Sequence, residues 1–215
     1  LLDLFSGAGG AARGYQLAGF HVTGVDLSPQ PNYCGDEFIQ ADATTFPLEG
    51  FSAVHASPPC QDHSGLRHPL AGSHGTGWML AATRERLRAQ RAPWVLENVL
   101  GSGLAEQDDL LGTRGLLLCG AMFGLPLYRH RLFETSFPVG APHHPRHLVP
   151  ASKAGHWKPG TVISVAGNCA PIELARHAMG DVDWMTRDEL AESIPPAFAE
   201  YIGTSLLEHL RQRAA

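Results

Sequence analysis

"LLDLFSGAGGAARGYQLAGFHVTGVDL", Leu1 to Leu27, opens on a short apolar run, breaks into a glycine-rich loop, resumes with helical spacing and ends on a second apolar run. "LLDLF" reads as a buried strand, "SGAGG" as a tight loop, "AARGYQLAGF" as a helix and "HVTGVDL" as the next strand, which together make a βαβ unit. The alternation continues downstream. "EFIQADA", "FSAVHAS" and "PWVLENV" supply three further strands, with a helix around "GWMLAATRERLRAQ" between the last two. The expected fold class is therefore α/β, a mostly parallel sheet with helices on both faces. Right-handed crossovers bring the carboxyl ends of these strands to one edge, so "SGAGG", Asp26, "ADA", "SPPCQ" and "ENV" are expected to converge there.

A chain of 215 residues, 44% hydrophobic and 17% charged, is long enough to bury one sizeable core. Its longest apolar runs, such as "GLLLCGAMFGLPL", are broken by Gly and Pro well short of the roughly 20 residues that span a bilayer. No basic-then-apolar leader opens the chain, so no membrane association and a cytoplasmic location are expected; without an initiator Met, a few native residues are expected to precede Leu1. Cys34, Cys60, Cys119 and Cys169 lie far apart with no C-x-x-C pair, which fits free thiols in a reducing compartment. A net charge of -5 argues against a protein that coats nucleic acid over its whole surface. The balance is uneven, because Leu127 to Gly160 carries Arg129, Arg131, Arg146, Lys153 and Lys158 against Glu134, a net +4.

From Ser136 the character changes: "SFPVGAPHHPRHLVPASKAGHWKP" is rich in Pro and His with little periodicity and reads as a loop-rich insert. "PIELARHAM" and "TRDELAES" are helical, the second with Thr186 as N-cap and Glu189 completing a capping box. "PAFAEYIGTSLLEHLRQR" forms a last helix with Phe198, Ile202, Leu206 and Leu210 on one face. The chain thus divides into a core over 1–135, a small insert over 136–185 and carboxy-terminal helices over 186–215 that return to the core. Histidine density at His143, His144, His147 and His156 can mean zinc, but no cysteine or carboxylate stands nearby to complete a tetrahedral set, so no metal is expected. The basic balance and Trp157 suit a nucleic-acid-facing surface, or ordinary solvated loop. "VAGNCA", around Cys169, is a loop without an assigned role.

Gly7, Gly9 and Gly10 permit positive φ and close backbone approach just ahead of a helix N-terminus, which serves a plain tight turn as well as a ligand cradle. Asp26, ending the second strand, favours the cradle, since a carboxylate there can accept both hydroxyls of a ribose. Asp42, ending the third strand, can similarly accept from an adenine amino group. The missing G-x-G-x-x-G spacing makes a nicotinamide cofactor less attractive. Cys60 follows Pro58 and Pro59, which stiffen the chain at a strand end, so it is either a packing thiol or a nucleophile held out into the cleft. Glu97 and Asn98 end an otherwise apolar strand, where a charged side chain is costly in the core and cheap at the edge. A thiol and a carboxyl at neighbouring strand ends suggest a shared substrate.

Taken in order, these motifs resemble the DNA cytosine-C5 methyltransferase family, closest to its compact, phage-type members: "DLFSGAGG" is similar to the cofactor loop, "GVDLSP" to the ribose strand, "PPCQ" to the nucleophile loop, "ENV" to the glutamate motif and "YRHRLFET" to the arginine motif. The resemblance covers Leu1 to about Thr135 and resumes more weakly over "WMTRDELAESIPPAFAEYIGTSLLEHL". It implies a Rossmann-like fold, S-adenosylmethionine as cofactor, and duplex DNA with a flipped cytosine as partner of a monomeric enzyme, as in restriction-modification systems or in a phage acting in its host's cytoplasm. It further implies Cys60, Glu97, Arg129 and Arg131 as catalytic residues. Phe5, Ser6, Gly7, Gly9, Asp26, Leu27, Asp42 and Pro59 would then contact cofactor, and Pro58, Gln61 and Asn98 would contact substrate. The same chemistry on RNA or a free cytidine nucleotide, and a non-catalytic binding relative, are the alternatives. The chain departs from the family in having Leu127 where the arginine motif carries Gln, prolines in "SPQPNYCG" that shorten or abolish the usual helix, and only about fifty residues for reading a target sequence.

Overall fold

The computed structural model describes residues 1–59, 77–102, 104, 115–152, 156–166 and 170–214. Among these the first half alternates as expected: β1 (Leu2–Leu4), α1 (Gly10–Leu17), β2 (Thr23–Asp26), β3 (Glu37–Gln40), β4 (Val54–Ala56), α2 (Gly77–Ala89) and β5 (Trp94–Asn98). Between β2 and β3 the prolines of "SPQPNYCG" leave only turns and bends. Two strands absent from the sequence expectation follow, β6 (Leu116–Leu118) and β7 (Arg131–Thr135), joined in part by a 3-10 turn over Gly120–Phe123. Three helices close the chain: α3 (Ile172–Ala178), α4 (Arg187–Glu192) and α5 (Pro196–Ala214).

The sheet order is β3-β2-β1-β4-β5-β7-β6. The five expected strands are parallel, whereas β7 runs antiparallel to both β5 and β6. This is an α/β fold of the Rossmann-like kind, with the chain reversing outward from β1 so that a crevice opens at the carboxyl ends of β1 and β4.

Period-two alternation assigns the two faces. Leu2, Leu4, Val54, Ala56, Trp94 and Leu96 pack with Leu80 and Leu87 of α2 on one face. Leu1, Val95, Phe133 and Leu118 pack with Tyr15 of α1 and with Phe198, Ile202 and Leu206 of α5 on the other, and Leu210 joins them partly buried. The two helices on that face lie very close. A Cβ on Gly14 would sit 2.1 Å from the Pro196 carbonyl, and one on Gly203 2.8 Å from Ala18. On the α2 face, Glu134 of β7 is clamped by Arg84 at 2.6 Å and Arg88 at 2.9 Å, which fastens the helix to the unexpected strand.

A third, smaller core gathers Ile163, Val165, Ala175, Met179, Val182 and Met185 around Leu127 and Ala8. Leu127 is therefore a core residue where the resembled motif has a polar one. Thr186 caps α4 through the expected capping box, its side chain accepting from the Glu189 N–H. Among the described residues no helix is long and apolar enough to cross a membrane.

Candidate active site

The loop after β1 is wound tightly. Phe5, Gly7 and Gly9 all hold positive φ, at 58°, 49° and 90°, a conformation that costs a non-glycine residue about 1–2 kcal/mol. Phe5 therefore stores strain at the mouth of the sheet. The three glycines differ in what they face. A Cβ on Gly7 would meet nothing within 4 Å, so its backbone borders open space. One on Gly9 would meet Cys34, whose thiol donates to the Gly9 carbonyl at 3.1 Å, and one on Gly10 would collide with Ser193 at 1.9 Å. Gly10 is thus needed for packing against the segment between α4 and α5.

Asp26 ends β2 beside this loop. One carboxylate oxygen accepts from the Gly7 N–H at 3.0 Å and the other from the Ser28 N–H at 3.0 Å, which fixes the plane of the group. Leu27 next to it is 69% exposed, a large apolar side chain left uncovered at the strand end. Asp42 follows β3 and is exposed, its Oδ1 accepting from the Thr44 N–H at 2.8 Å and the Thr44 hydroxyl at 2.6 Å. Those bonds hold its carboxyl below the usual carboxylate range. Among the described residues the buried Ser6 hydroxyl has no hydrogen-bond partner, and neither do the two carboxyl oxygens of Asp3. Open backbone at Gly7, an orphaned hydroxyl at Ser6, a fixed carboxylate and an exposed leucine fit a ligand with an amino-acid part and a nucleoside part.

Glu97 and Arg131 meet where β5 pairs with β7. Asn98 stands opposite Leu132, and the next residue on β7 is Arg131, whose Nε lies 2.9 Å from Glu97 Oε1. The approach lies off the N–H axis, an ion pair without an aligned hydrogen bond. Glu97 is buried, and burial pushes its carboxyl pKa upward; Arg131, a Ser57 hydrogen bond and Arg129 oppose that rise. Arg129 reaches elsewhere, donating to the carbonyls of Val165 at 2.6 Å and Ala191 at 2.5 Å. It is a brace between the arginine motif, the insert and α4. Asn98, expected at the substrate, is fully buried and donates to the Pro58 carbonyl at 3.0 Å, tying β5 to the segment after β4. Pro58 is buried and Pro59 half-buried; Cys60 and Gln61 lie outside the described residues.

Three residues behind Glu97 were missed in the sequence. Ser57 bonds Glu97 and stands 2.8 Å from His55 Nε2, and His55 Nδ1 stands 2.9 Å from the Tyr15 hydroxyl. Burial holds the His55 imidazole neutral, its pKa lowered to about 3. One proton arrangement satisfies the whole chain: Tyr15 donates to Nδ1, Nε2–H donates to Ser57, and Ser57 donates to the carboxylate. The available signal was a histidine midway along a buried strand, two residues before a serine and so on the same face.

The histidine-rich insert also differs from expectation. The cysteine that the local sequence lacks is Cys119, at the end of β6, whose sulfur lies 3.3 Å from His147 Nε2. His130, immediately before β7, brings its Nε2 to 3.3 Å from that of His144. The local sequence shows only part of this cluster, because the β6–β7 hairpin brings two potential ligands to the insert from outside it. His143 and His156 take no part in it.

No family model matches the chain. It is 27% identical over 196 residues to the type II methyltransferase M1.HphI of Haemophilus parahaemolyticus, a match covering 73% of this chain and 52% of that protein. The chain thus spans about half the length of this curated relative. In three dimensions it is similar to a prophage-encoded Escherichia coli protein assigned as a DNA modification methyltransferase, with a TM-score of 0.69 and 14% identity over 98% of this chain and 99% of the other. It is also similar to the Dnmt2 methyltransferase of S. pombe, with a TM-score of 0.60 and 14% identity over 97% of this chain and 98% of the other. The chain carries a Rossmann-like fold shared with these solved methyltransferases, and its sequence likeness is to a type II methyltransferase, consistent with the resemblance of its motifs.

Proposed function

We propose that this chain methylates C5 of cytosine in DNA through a covalent Cys60 adduct, with S-adenosylmethionine as methyl donor. The observation that carries the reading is the buried Glu97–Arg131 pair at the strand edge, with neighbouring Asn98 bonded to the carbonyl of Pro58, two residues before Cys60 in sequence.

The donor's sulfonium supplies an electrophilic methyl group. Its amino-acid part would rest on the Phe5–Gly9 loop with the Ser6 hydroxyl as a polar partner, its ribose on Asp26, its adenine beside Leu27 and Asp42, and Pro59 would border its methyl end. C5 of cytosine is a poor nucleophile until the ring's aromaticity is broken. The Cys60 thiolate does this by bonding to C6, which pushes electron density to C5. Glu97, whose carboxyl is pushed up by burial, holds or donates a proton at N3 and accepts from the exocyclic amino group, and Arg131 stabilises the charge that gathers on the ring. After C5 has gained the methyl group, its proton leaves to a base, the C6–S bond breaks and Cys60 departs as thiolate. A duplex substrate must present the cytosine flipped out, since C6 is shielded in the stack. The insert over 136–185, whose first half carries Arg146, Lys153 and Lys158 without a carboxylate, lies in the right part of the chain to read flanking bases.

Tritiated methyl transfer to duplex DNA, RNA and dCMP tests the reading. Label in DNA alone supports it; label in RNA or dCMP alone moves the same chemistry to another substrate. No transfer to any of them by folded protein contradicts the enzymatic reading altogether.

A further inference from the structure

Cys119, His130, His144 and His147 come from three separate parts of the chain, yet their ligating atoms all lie within 4.8 Å of one another. A tetrahedral zinc with Zn–N of about 2.0 Å and Zn–S of about 2.3 Å has ligand-to-ligand edges of roughly 3.3–3.8 Å. Two edges of this set, Cys119 to His147 and His130 to His144, are each 3.3 Å. The three ring centres lie 4.8 to 5.5 Å apart, with His130 and His144 11° from parallel and His147 tilted 48° and 44° from them. One thiol and three imidazoles, with no carboxylate, suit zinc over magnesium or calcium.

The surroundings also orient the set. Tyr128 stacks flat on His147 at 3.6 Å, and its hydroxyl donates to the Val149 carbonyl at 2.8 Å, so one residue steadies both the ring and the insert behind it. Cys119 is buried and His144 and His147 are exposed, which places the centre at the surface with one side closed by the sheet.

We propose that these four residues form a structural zinc site that pins the histidine-rich insert to the β6–β7 hairpin. Binding displaces the Cys119 proton and takes the three imidazoles as neutral donors, and four protein ligands leave no open position for catalysis. His130 lies between Arg129 and Arg131, so the metal also sets where β7 begins and how the insert stands beside the Glu97–Arg131 pair. The site does not depend on the methyl-transfer reading.

Metal analysis of the full chain without an affinity tag tests the proposal, after loading with Zn2+ and gel filtration. The expected result is one zinc per chain, and a Co2+-loaded form with intense tetrahedral visible bands and a thiolate-to-cobalt charge-transfer band. His144→Ala, an exposed change that spares the core, should weaken zinc binding more than about 100-fold. His143→Ala, at the neighbouring exposed histidine outside the set, should leave binding unchanged. Cys119→Ser should abolish the charge-transfer band. Zinc retained equally by the His143 and His144 variants, no stoichiometric uptake, or a cobalt spectrum without a thiolate band would overturn the proposal.

Discussion

Arg131 Nε lies 2.9 Å from Glu97 Oε1 across the antiparallel β5–β7 pair, so the one strand that reverses the sheet carries the cation that faces the buried carboxyl. Glu97→Gln keeps the shape and removes the exchangeable proton and the charge. The expected outcome is a kcat lower by about 100- to 1,000-fold with donor affinity unchanged. Single-turnover kinetics and calorimetric titration of the donor check this, and an unchanged kcat contradicts the role of Glu97.

Ser57 donates to Glu97 and thereby lowers its pKa, so Ser57→Ala removes a bond that favours the ionised carboxyl. The limb of the pH–rate profile that reports Glu97 should move to higher pH. The variant also leaves a buried His55 nitrogen without its partner, at a cost of about 1–3 kcal/mol in stability. A loss of amplitude with no movement of that limb contradicts the hydrogen-bonded chain.

Asp3 is a buried carboxyl whose pKa is raised from 3.8 to about 8, first by burial and then by Asp26. A raised native pKa means that the folded state holds the proton more tightly. Its contribution to stability is present below pH 3.8 and is lost as pH rises toward 8. Asp3→Asn should therefore match the parent in melting temperature below pH 3.8 and exceed it by roughly 5 °C or more above pH 8. Melting curves across that range decide it; a variant less stable at high pH contradicts the assignment.

The glycines of the first loop should separate binding from folding. Gly10→Ala drives a Cβ onto Ser193 and the Ile194 carbonyl and should cost about 1–3 kcal/mol of stability. Gly7→Ala has space but strains a residue at φ 49°, and its methyl enters the open side of the loop, so it should chiefly weaken donor binding. Thermal melts and donor titrations of the two variants distinguish these effects.

The five parallel strands were legible because short runs rich in apolar residues alternate with helical spacing or turn residues, even where, as in Glu37–Gln40, only the two central residues are apolar. The β6–β7 hairpin was not, since "LLL" lies inside a longer apolar run and "RLFET" alternates too briefly; their pairing with β5 is long-range and leaves no periodic trace. The same hairpin hid the metal-ligating set by bringing Cys119 to His147 from 28 residues away. Glu97 and Arg131 were legible as motif residues. Their supports were not, because Tyr15 and His55 sit in a helix and a strand that read as ordinary core. Asn98 and Arg129 were legible as motif residues, but not the backbone carbonyls that each of them holds in place.

The covalent step through Cys60 is tested most directly with duplex DNA carrying 5-fluorocytosine, because fluorine at C5 blocks the final loss of a proton. Protein that methylates ordinary DNA should form a denaturation-resistant complex with this duplex in the presence of the methyl donor, and peptide mapping should find the base on Cys60. Methylation of ordinary DNA by the same protein, with tight binding of the fluorinated duplex and no adduct at Cys60, would contradict the account.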